Sequence, residues 1–399
     1  MRLSALQSLT RTSPRLRLPC HRAMSSFDAF EHLKVTRRGA VLDVLLDRPK
    51  KLNALDVPMI RECAAVLDAA EWTAASEEAC VALVVRGAGG KAFCAGGDVA
   101  AIRGAGLAGP PADGSEPLYE KFFREEYRVN HRLGTFSSVD SRIKQVSLWD
   151  GIVMGGGVGL SVHGRFRVAT EKVMLAMPEV GIGLFPDVGA CHKLATMPGK
   201  SGEYAALTGA RLGLADLLHA GLATHAVASK DLDALVDDVS KLDASLAPEA
   251  FDAAVDACLS KYPAPAVDPS PLKEHATLID SAFAGNDVAG TLAALDADGS
   301  EFAAKAAKAI RRGSPTAAAV SLEAVLRAEG ATLAEVLRAD FRVASAMVAP
   351  SSPLPDFYEG VRAALVDKDR NPQWGAAPSA AAVAAHFDKR PAPWAELEV

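Results

Sequence analysis

The stretch of residues 150–187 constrains the fold more than any other part of the chain, because two short apolar strand patterns in this region each end at an unusual turn. The first pattern, residues 143–154, ends at Gly155, Gly156 and Gly157, ahead of a helical run of small residues. A backbone without Cβ atoms can be approached closely, and the amides at the start of a helix carry partial positive charge. The turn is therefore predicted to receive an oxygen atom.

Two acidic residues follow the second strand pattern. This pattern, residues 173–177, stops at Pro178, so Glu179 lies just beyond its end, and Asp187 comes eight residues later across a glycine-rich turn. The stretch thus offers one oxyanion-binding turn and two carboxylates. A structural role is the alternative for each acid: Glu179 as a helix cap or ion-pair partner, and Asp187 as a cap of the following turn.

A second glycine turn lies earlier in the chain. A strand is predicted over residues 40–46, a helix over 57–71 and another strand over 80–86, which leads to Gly96 and Gly97 just before helical residues. One such turn alone is more often only a tight turn. Two turns that each present an amide suit a carbonyl oxygen that becomes negative in a transition state, where losing one donor costs about 3 kcal/mol.

The composition excludes several classes of partner. The chain has 399 residues and a formal net charge of −6, and no cluster of lysine or arginine lies along a predicted helix of the body, so we expect no nucleic-acid partner. Its six cysteines show neither CxxC spacing nor paired histidines, which argues for reduced thiols and against a metal site. No apolar run reaches a length of about 18 residues, so we expect no membrane span.

Three regions are expected along the chain. Residues 1–27 contain five arginines and no acidic residue, which is typical of a mitochondrial transit peptide; a disordered basic tail is the alternative. Residues 28–262 form the predicted core, and a proline-rich connector over 262–272 leads into a helical region over 263–399. We expect the alanine- and proline-rich tail from Pro372 to be loosely held. The sequence leaves the oligomeric state open.

An amphipathic helix is predicted over residues 122–133, with Glu125 and Glu126 on adjoining faces. By composition alone, these two glutamates are expected to be solvated surface charges. Further helices are expected after Asp187, over residues 202–207, 211–220, 232–242, 272–283, 301–311, 315–328 and 333–348.

Several phrases of the sequence resemble a known family. KKLNALD, KAFCAGGDV, GIVMGGGVGLSVHGRFRVATEK and MPEVGIGLFPDVG are similar to the crotonase (enoyl-CoA hydratase/isomerase) superfamily, and FYEGVRAALVDKDRNPQW is most similar to its 3-hydroxyisobutyryl-CoA hydrolase branch. The resemblance implies an α/β fold, with a crotonase-like spiral core of ββα repeats and a helical C-terminal region. It also implies an acyl-CoA thioester as the small-molecule substrate. No separate cofactor is expected, because coenzyme A is part of that substrate.

The resemblance assigns roles to five residues. Gly97 and Gly156 match the two residues whose amides form the oxyanion hole of the family. Glu179 matches the catalytic glutamate, and Asp187 matches the second carboxylate of the hydrolase pattern. Glu126 matches a glutamate that contacts substrate, which overrides the expectation of a surface charge.

Gly159 departs from the hydratases of this superfamily, which usually carry a glutamate at that position. Hydration requires acid and base catalysis on two carbons, so the lack of a side chain at Gly159 argues against it. Thioester hydrolysis requires less, because the leaving thiolate is a weak base whose thiol pKa is about 8.5. The resemblance therefore implies hydrolysis of 3-hydroxyisobutyryl-CoA in valine catabolism, with 3-hydroxypropionyl-CoA as a second candidate substrate. The composition of residues 1–27 implies a location in the mitochondrial matrix.

Two alternatives stay open from the sequence. One is an enoyl-CoA hydratase or isomerase. The other is a non-catalytic subunit of the mitochondrial ribosome that derives from the hydrolase. Such a subunit is free to lose its acids, whereas the three acidic residues and both glycines of the family pattern are present in this chain.

Overall fold

The computed structural model describes residues 27–73, 79–351, 355–389 and 396–399. The transit-peptide prediction for residues 1–27 falls almost entirely outside the described residues, as does Cys20. Among the described helices, none combines the length and the apolar character that a bilayer crossing requires.

The larger of two sheets has six strands. An antiparallel hairpin, β1 (Leu33–Arg38) and β2 (Val41–Leu46), turns at Gly39, whose φ is 60°. The remaining strands pair in parallel, in the order in which they occur along the chain: β3 (Ala82–Gly87), β5 (Lys144–Trp149), β7 (Phe166–Ala169) and β9 (His225–Ala226).

The smaller sheet has three parallel strands: β4 (Ala92–Cys94), β6 (Ile152–Met154) and β8 (Met174–Ala176). Of each two consecutive strands from β3 to β8, the first therefore lies in the large sheet and the second in the small sheet. A helix or helical turn follows the second strand. This repetition is the predicted spiral of ββα units.

Four helices belong to these repeats or connect them: α1 (Val57–Thr73), α2 (Val99–Ala108), α3 (Leu118–Thr135) and the single turn α4 (Gly156–Gly159). Helix α2 begins at Asp98, whose side chain accepts a hydrogen bond from Ala101 N at 3.3 Å. This cap starts the helix immediately after Gly97, so the glycine remains outside it.

The remainder of the chain is mainly helical. After the 3-10 turn Glu179–Ile182, the helices are α5 (Ala190–Leu194), α6 (Ser201–Thr208), α7 (Leu214–His219), α8 (Leu232–Ser240), α9 (Pro248–Leu259), α10 (Pro271–Glu274), α11 (Ala276–Ala282), α12 (Val288–Asp298), α13 (Glu301–Arg312), α14 (Pro315–Ala328), α15 (Leu333–Val348), α16 (Asp356–Val361) and α17 (Ala380–Ala385). The helix expected over residues 272–283 is divided at His275, which has φ −105° and ψ 16°.

Both faces of the large sheet are covered, which its parallel pairing requires. Successive residues of a strand point to opposite faces. Val84 of β3 accordingly packs in the apolar cluster with α8 and α9, whereas Leu83 and Val85 pack in the main core on the other face.

The expectation of a loosely held tail after Pro372 is wrong for its described residues. Trp374 Nε1 donates a hydrogen bond to Arg312 O at 3.0 Å, and Phe387 is buried beneath Arg327. Farther on, Leu397 is buried, and Glu396 forms an ion pair with Arg342 at 2.6 Å. A few large apolar and charged side chains thus fix a segment whose overall composition is alanine and proline.

Candidate active site

The site lies at one edge of the small sheet. Gly97 follows the end of β4 by three residues, Gly156 follows the end of β6 by two, and Glu179 follows the end of β8 by three. Because parallel strands end at the same edge of a sheet, these three residues are brought together although they lie far apart in sequence.

Gly97 is held in place by the segment that precedes α1. Leu55 N donates to Gly96 O, and Asp98 N donates to Leu55 O, both at 2.8 Å. The Phe122 ring lies 2.8 Å from the position that a Cβ atom at Gly97 would occupy. No backbone acceptor for the Gly97 amide is found in the described part of the chain, so this N–H remains available to a ligand.

Gly156 presents the second amide. Gly155, with φ 49°, turns the chain from β6 into α4, and Gly156 is the first residue of that helical turn. A Cβ atom at Gly156 would lie 3.5 Å from Gly97 N and against Glu126 Oε1. The two glycine turns therefore converge, and a side chain at this position would block the space beside the two amides.

Three carboxyl groups surround these amides: Glu126 of α3, Glu179 of the 3-10 turn, and Asp187. They are 2%, 6% and 5% exposed. A Cβ atom at Gly155 would lie 2.9 Å from Glu179 Oε1. The structure thus brings together all five residues to which the sequence assigned roles.

The expectation that Glu125 and Glu126 are both surface charges is wrong for Glu126. Helix α3 is amphipathic, and Glu126 lies on the stripe that faces the glycine turns, where its Oε1 atom has no hydrogen-bond partner among the described residues. Its neighbour Glu125 lies near the surface and pairs with Arg61 at 2.8 Å. Adjacent residues of a helix point to different faces, so Glu125 forms a surface ion pair whereas Glu126 is buried.

The buried carboxyl groups have raised pKa values. Burial, and then the charge of Asp187, raise the pKa of Glu179 well above its usual range. Burial, followed by the charges of Asp187 and Glu179, does the same to the pKa of Glu126. Burial raises the pKa of Asp187 to about 6, and a hydrogen bond from Tyr127 opposes that rise. The hydrogen bond from Tyr127 therefore favours the ionised form of Asp187.

Tyr127 is a site residue that the sequence did not reveal. Its Oη atom donates a hydrogen bond to Asp187 Oδ2 at 2.6 Å, and both side chains are buried. Tyr127 follows Glu126 directly on α3, but nothing in the local pattern distinguishes a tyrosine that binds a carboxylate from one that fills the core.

The loop that carries Asp187 is strained and is held at two points. Val188 and Gly189 both have left-handed backbone conformations, with φ 55° and 74°. This conformation costs a β-branched residue about 1–3 kcal/mol, so surrounding contacts must maintain it. His163 Nε2 donates to Val188 O at 2.8 Å, and Gly189 N donates to Asp340 Oδ2 at 2.7 Å. Burial lowers the pKa of His163 to about 3, which keeps the imidazole neutral.

Gly159 is enclosed by its neighbours. A Cβ atom at this position would lie 2.6 Å from Val188 Cβ and 3.0 Å from Asn130 Nδ2. Distances this short require the surrounding side chains to move. An acidic side chain at this point of α4 would therefore have to displace Val188 or Asn130.

No group of three or more histidine, cysteine, aspartate or glutamate side chains placed to hold a metal ion occurs within residues 27–73, 79–351, 355–389 and 396–399. The arrangement that these residues do show is the backbone amides of Gly97 and Gly156, for which they provide no backbone acceptor, beside buried carboxyl groups. Such an arrangement can stabilise an oxyanion and transfer protons to or from water.

Comparisons with known proteins show which family this chain is similar to. A family model described as enoyl-CoA hydratase/isomerase matches residues 41–389. The protein named 3-hydroxyisobutyryl-CoA hydrolase, mitochondrial, from Xenopus tropicalis is 41% identical over 340 residues, which cover 85% of this chain and 83% of the relative. The protein of the same name from Rattus norvegicus is 41% identical over 358 residues, or 89% and 87% of the two chains.

A solved structure is also similar over most of the chain. The carnitinyl-CoA dehydratase from Mycobacterium thermoresistibile has a TM-score of 0.77 and 37% identity, and the match covers 90% of this chain and 97% of that chain. The names of the sequence relatives and of this dehydratase all refer to a coenzyme A thioester, but the reactions that they name differ.

Proposed function

Because this chain belongs to the enoyl-CoA hydratase/isomerase family, we propose that it hydrolyses the thioester of 3-hydroxyisobutyryl-CoA to the free hydroxy acid and coenzyme A. One observation carries the choice of hydrolysis: the two glycine amides, for which the described residues provide no backbone acceptor, face buried Glu179, while the enclosed Gly159 supplies no further acid on α4. Coenzyme A enters as part of the substrate, and the proposal requires neither a metal nor a further cofactor.

The amides of Gly97 and Gly156 bind the thioester oxygen. As a nucleophile adds to the carbonyl carbon, negative charge develops on this oxygen, and fixed N–H donors stabilise it without reorganising. The tetrahedral intermediate then collapses as the carbon–sulfur bond breaks, and coenzyme A leaves as a thiolate. This leaving group needs little protonation, because its conjugate thiol has a pKa of about 8.5.

Glu179 provides the reactive carboxylate by one of two routes. As a general base it takes a proton from a water molecule whose oxygen attacks the carbonyl carbon. As a nucleophile its own oxygen attacks, and water then hydrolyses the mixed anhydride. Asp187, positioned by Tyr127, orients the water, and Glu126 contacts the acyl group. Label in Glu179 after a single turnover in heavy-oxygen water identifies the second route, because it requires water to attack the glutamyl carbon of the mixed anhydride. Label in the hydroxy acid alone results from the first route and also from attack of water on the acyl carbon of the anhydride.

The pathway and location are further parts of the proposal. The relatives are named mitochondrial, and the composition of residues 1–27 is typical of a presequence, which supports the mitochondrial matrix. The proposed substrate belongs to valine catabolism, and 3-hydroxypropionyl-CoA, which lacks one methyl group, is expected to be a second substrate.

A substrate panel tests this function. Purified full-length protein is mixed separately with 3-hydroxyisobutyryl-CoA, 3-hydroxypropionyl-CoA and crotonyl-CoA, and both thiol release and loss of the crotonyl double bond are followed. We expect thiol release from the two hydroxyacyl substrates and no hydration of crotonyl-CoA. Hydration without thiol release would identify a hydratase. Inactivity with all three, together with cosedimentation with ribosomal particles at high salt, would favour the structural subunit.

A further inference from the structure

A row of side chains on α3 faces the glycines of the site. Residues spaced by four along a helix share one face. Each member of the row lies against the position where a glycine of the site would carry a Cβ atom; the pairs are Phe122 with Gly97, Glu126 with Gly156, and Asn130 with Gly159. The row thus runs from the first oxyanion amide to the far end of α4.

Asn130 ends this row, and its side chain has no hydrogen-bond partner among the described residues. Its side chain is fully buried, and neither Nδ2 nor Oδ1 has a hydrogen-bond partner in the described part of the chain. A buried polar atom left unpaired costs about 1–3 kcal/mol, so such groups in folded proteins are usually satisfied.

Asn53 shows the usual arrangement for a buried asparagine. It is also fully buried, but its Nδ2 donates to Ala88 O and Ala92 O at 3.0 and 2.9 Å, and its Oδ1 accepts from Arg48 N at 3.0 Å. Asn53 therefore supports the loop around it. Asn130 lacks such a supporting role, which makes it available to bind a group other than the protein backbone.

Asn130 lies beside α4, the helical turn that begins at the second oxyanion glycine, Gly156. A Cβ atom at Gly159 would lie 3.0 Å from Asn130 Nδ2 and 2.6 Å from Val188 Cβ. Tyr127, which binds Asp187, is one helical turn earlier on α3, and Glu126, whose Oε1 is also unpaired, is four residues earlier. Asn130 therefore lies between the oxyanion-hole helix and the loop that carries Asp187.

We propose that Asn130 binds the 3-hydroxyl group of the acyl chain and makes the site specific for hydroxyacyl thioesters. This inference rests on the proposed hydrolase function. The amide of Asn130 donates to the hydroxyl oxygen, while Glu126 Oε1 accepts the hydroxyl proton. A site whose buried polar groups require a substrate hydroxyl rejects an analogue without it, because the analogue leaves those groups unpaired.

The test compares two substrates that differ only in the hydroxyl group. The ratio of kcat/KM for 3-hydroxyisobutyryl-CoA to that for isobutyryl-CoA is measured for the wild type, Asn130→Leu and Asn130→Asp. Leucine keeps the approximate size of the side chain, and aspartate keeps the shape but loses the donor. In each variant we expect the ratio to fall roughly tenfold or more, through loss of activity on the hydroxy substrate.

Val129→Ala provides a matched control, since Val129 is buried next to Asn130 on the same helix but does not belong to the row that faces the glycines. Its ratio is expected to equal that of the wild type, even if its Tm falls. An unchanged ratio in folded Asn130 variants would overturn the inference and would mean that only buried water satisfies this amide.

The wild type alone also decides the matter if the variants fail to fold. Similar kcat/KM values for the two substrates would show that the site does not discriminate between acyl groups with and without the hydroxyl group. Failure of the hydrolase function has a different signature, because the wild type would then release thiol from neither substrate.

Discussion

Asp340 accepts a hydrogen bond from the backbone amide of Gly189, with 2.7 Å between Oδ2 and N. This contact joins α15, in the C-terminal helical region, to the loop that carries Asp187. The same helix also contacts α3, where Ser345 Oγ donates to Glu120 Oε2 at 2.8 Å. The C-terminal helices therefore do more than cover the core, because one of them fixes the backbone from which a candidate catalytic carboxylate projects.

Loss of the Asp340 acceptor is expected to misplace Asp187. Asp340→Ala leaves the Gly189 amide buried without a partner, which costs about 1–3 kcal/mol. We expect a fall in kcat of about tenfold or more with little change in KM. Asp340→Asn retains a side-chain carbonyl acceptor and is expected to recover most of the rate. Equal losses in the two variants, measured by steady-state thiol release, would contradict a positioning role.

The hydrogen bond from Tyr127 is expected to set the pH dependence of the reaction. It opposes the rise in the pKa of Asp187, which stands at about 6, so Tyr127→Phe raises that pKa further. If hydrolysis requires ionised Asp187, kcat/KM falls more at about pH 6 than at about pH 8. Tyr358→Phe removes another buried tyrosine hydroxyl, which donates to Val348 O at 2.7 Å, and is the control. A loss that is uniform with pH would contradict the prediction.

Neutral replacements of the buried carboxyl groups are expected to stabilise the fold while reducing activity. The pKa of Glu179 is higher in the folded state than in the unfolded chain. The contribution of this group to stability is therefore fully present below the unfolded pKa of about 4.3. It is lost as the pH rises through the folded pKa. The same sign holds for Glu126.

Glu179→Gln and Glu126→Gln should therefore each raise stability by about 1 kcal/mol near neutral pH, and the gain should grow as the pH is raised from about 5 to about 8. Thermal unfolding across this range measures it. Glu125→Gln, which changes a surface ion pair on the same helix, is expected to have a small effect that does not grow in this way. A gain that shrinks with rising pH would contradict the assignment.

Even a methyl side chain at position 159 is expected to destabilise the fold. Gly159→Ala places a Cβ atom 2.6 Å from Val188 Cβ, and such overpacking costs about 1–3 kcal/mol. The displaced Val188 should also lower kcat, since Asp187 precedes it. Gly104→Ala is the matched control, because Gly104 lies in α2 with nothing within 4 Å of its Cβ position. Alanine at this position is expected to increase the free energy of unfolding by about 0.5–1 kcal/mol. Comparable unfolding temperatures for the two variants would contradict this packing argument.

The sequence predicted those parts of the site that are marked by a recognisable local sequence pattern. The two glycine turns, residues 155–157 and 96–97, could be located because a close backbone approach requires glycine after an apolar strand, and Glu179 could be located just beyond the end of the next strand. The family resemblance then singled out Gly97 and Gly156 and gave Glu179 its catalytic role. Helices over 315–328 and 333–348 were placed correctly because their apolar periodicity is long and uninterrupted. The family resemblance supplied the site role of Glu126, which composition alone had assigned to the surface.

Other parts of the structure depend on contacts that no local pattern records. Asp340 meets Gly189 across 151 residues of sequence, and an aspartate within an amphipathic helix is ordinarily a surface charge. The tail after Pro372 is fixed by a few side chains, including Trp374 and Phe387, whose partners lie on α13 and α14. Such tertiary contacts outweigh composition and periodicity, which describe only neighbours along the chain.

The central claim is that Glu179 drives thioester hydrolysis between the two amides. Release of free thiol from 3-hydroxyisobutyryl-CoA by the full-length wild type and by Glu179→Gln tests it most directly. Glutamine keeps the shape of the side chain but can act neither as a base nor as a carboxylate nucleophile. We predict rapid release by the wild type and a loss of at least about 100-fold in a variant that folds normally. A variant that retains the wild-type rate would contradict the account.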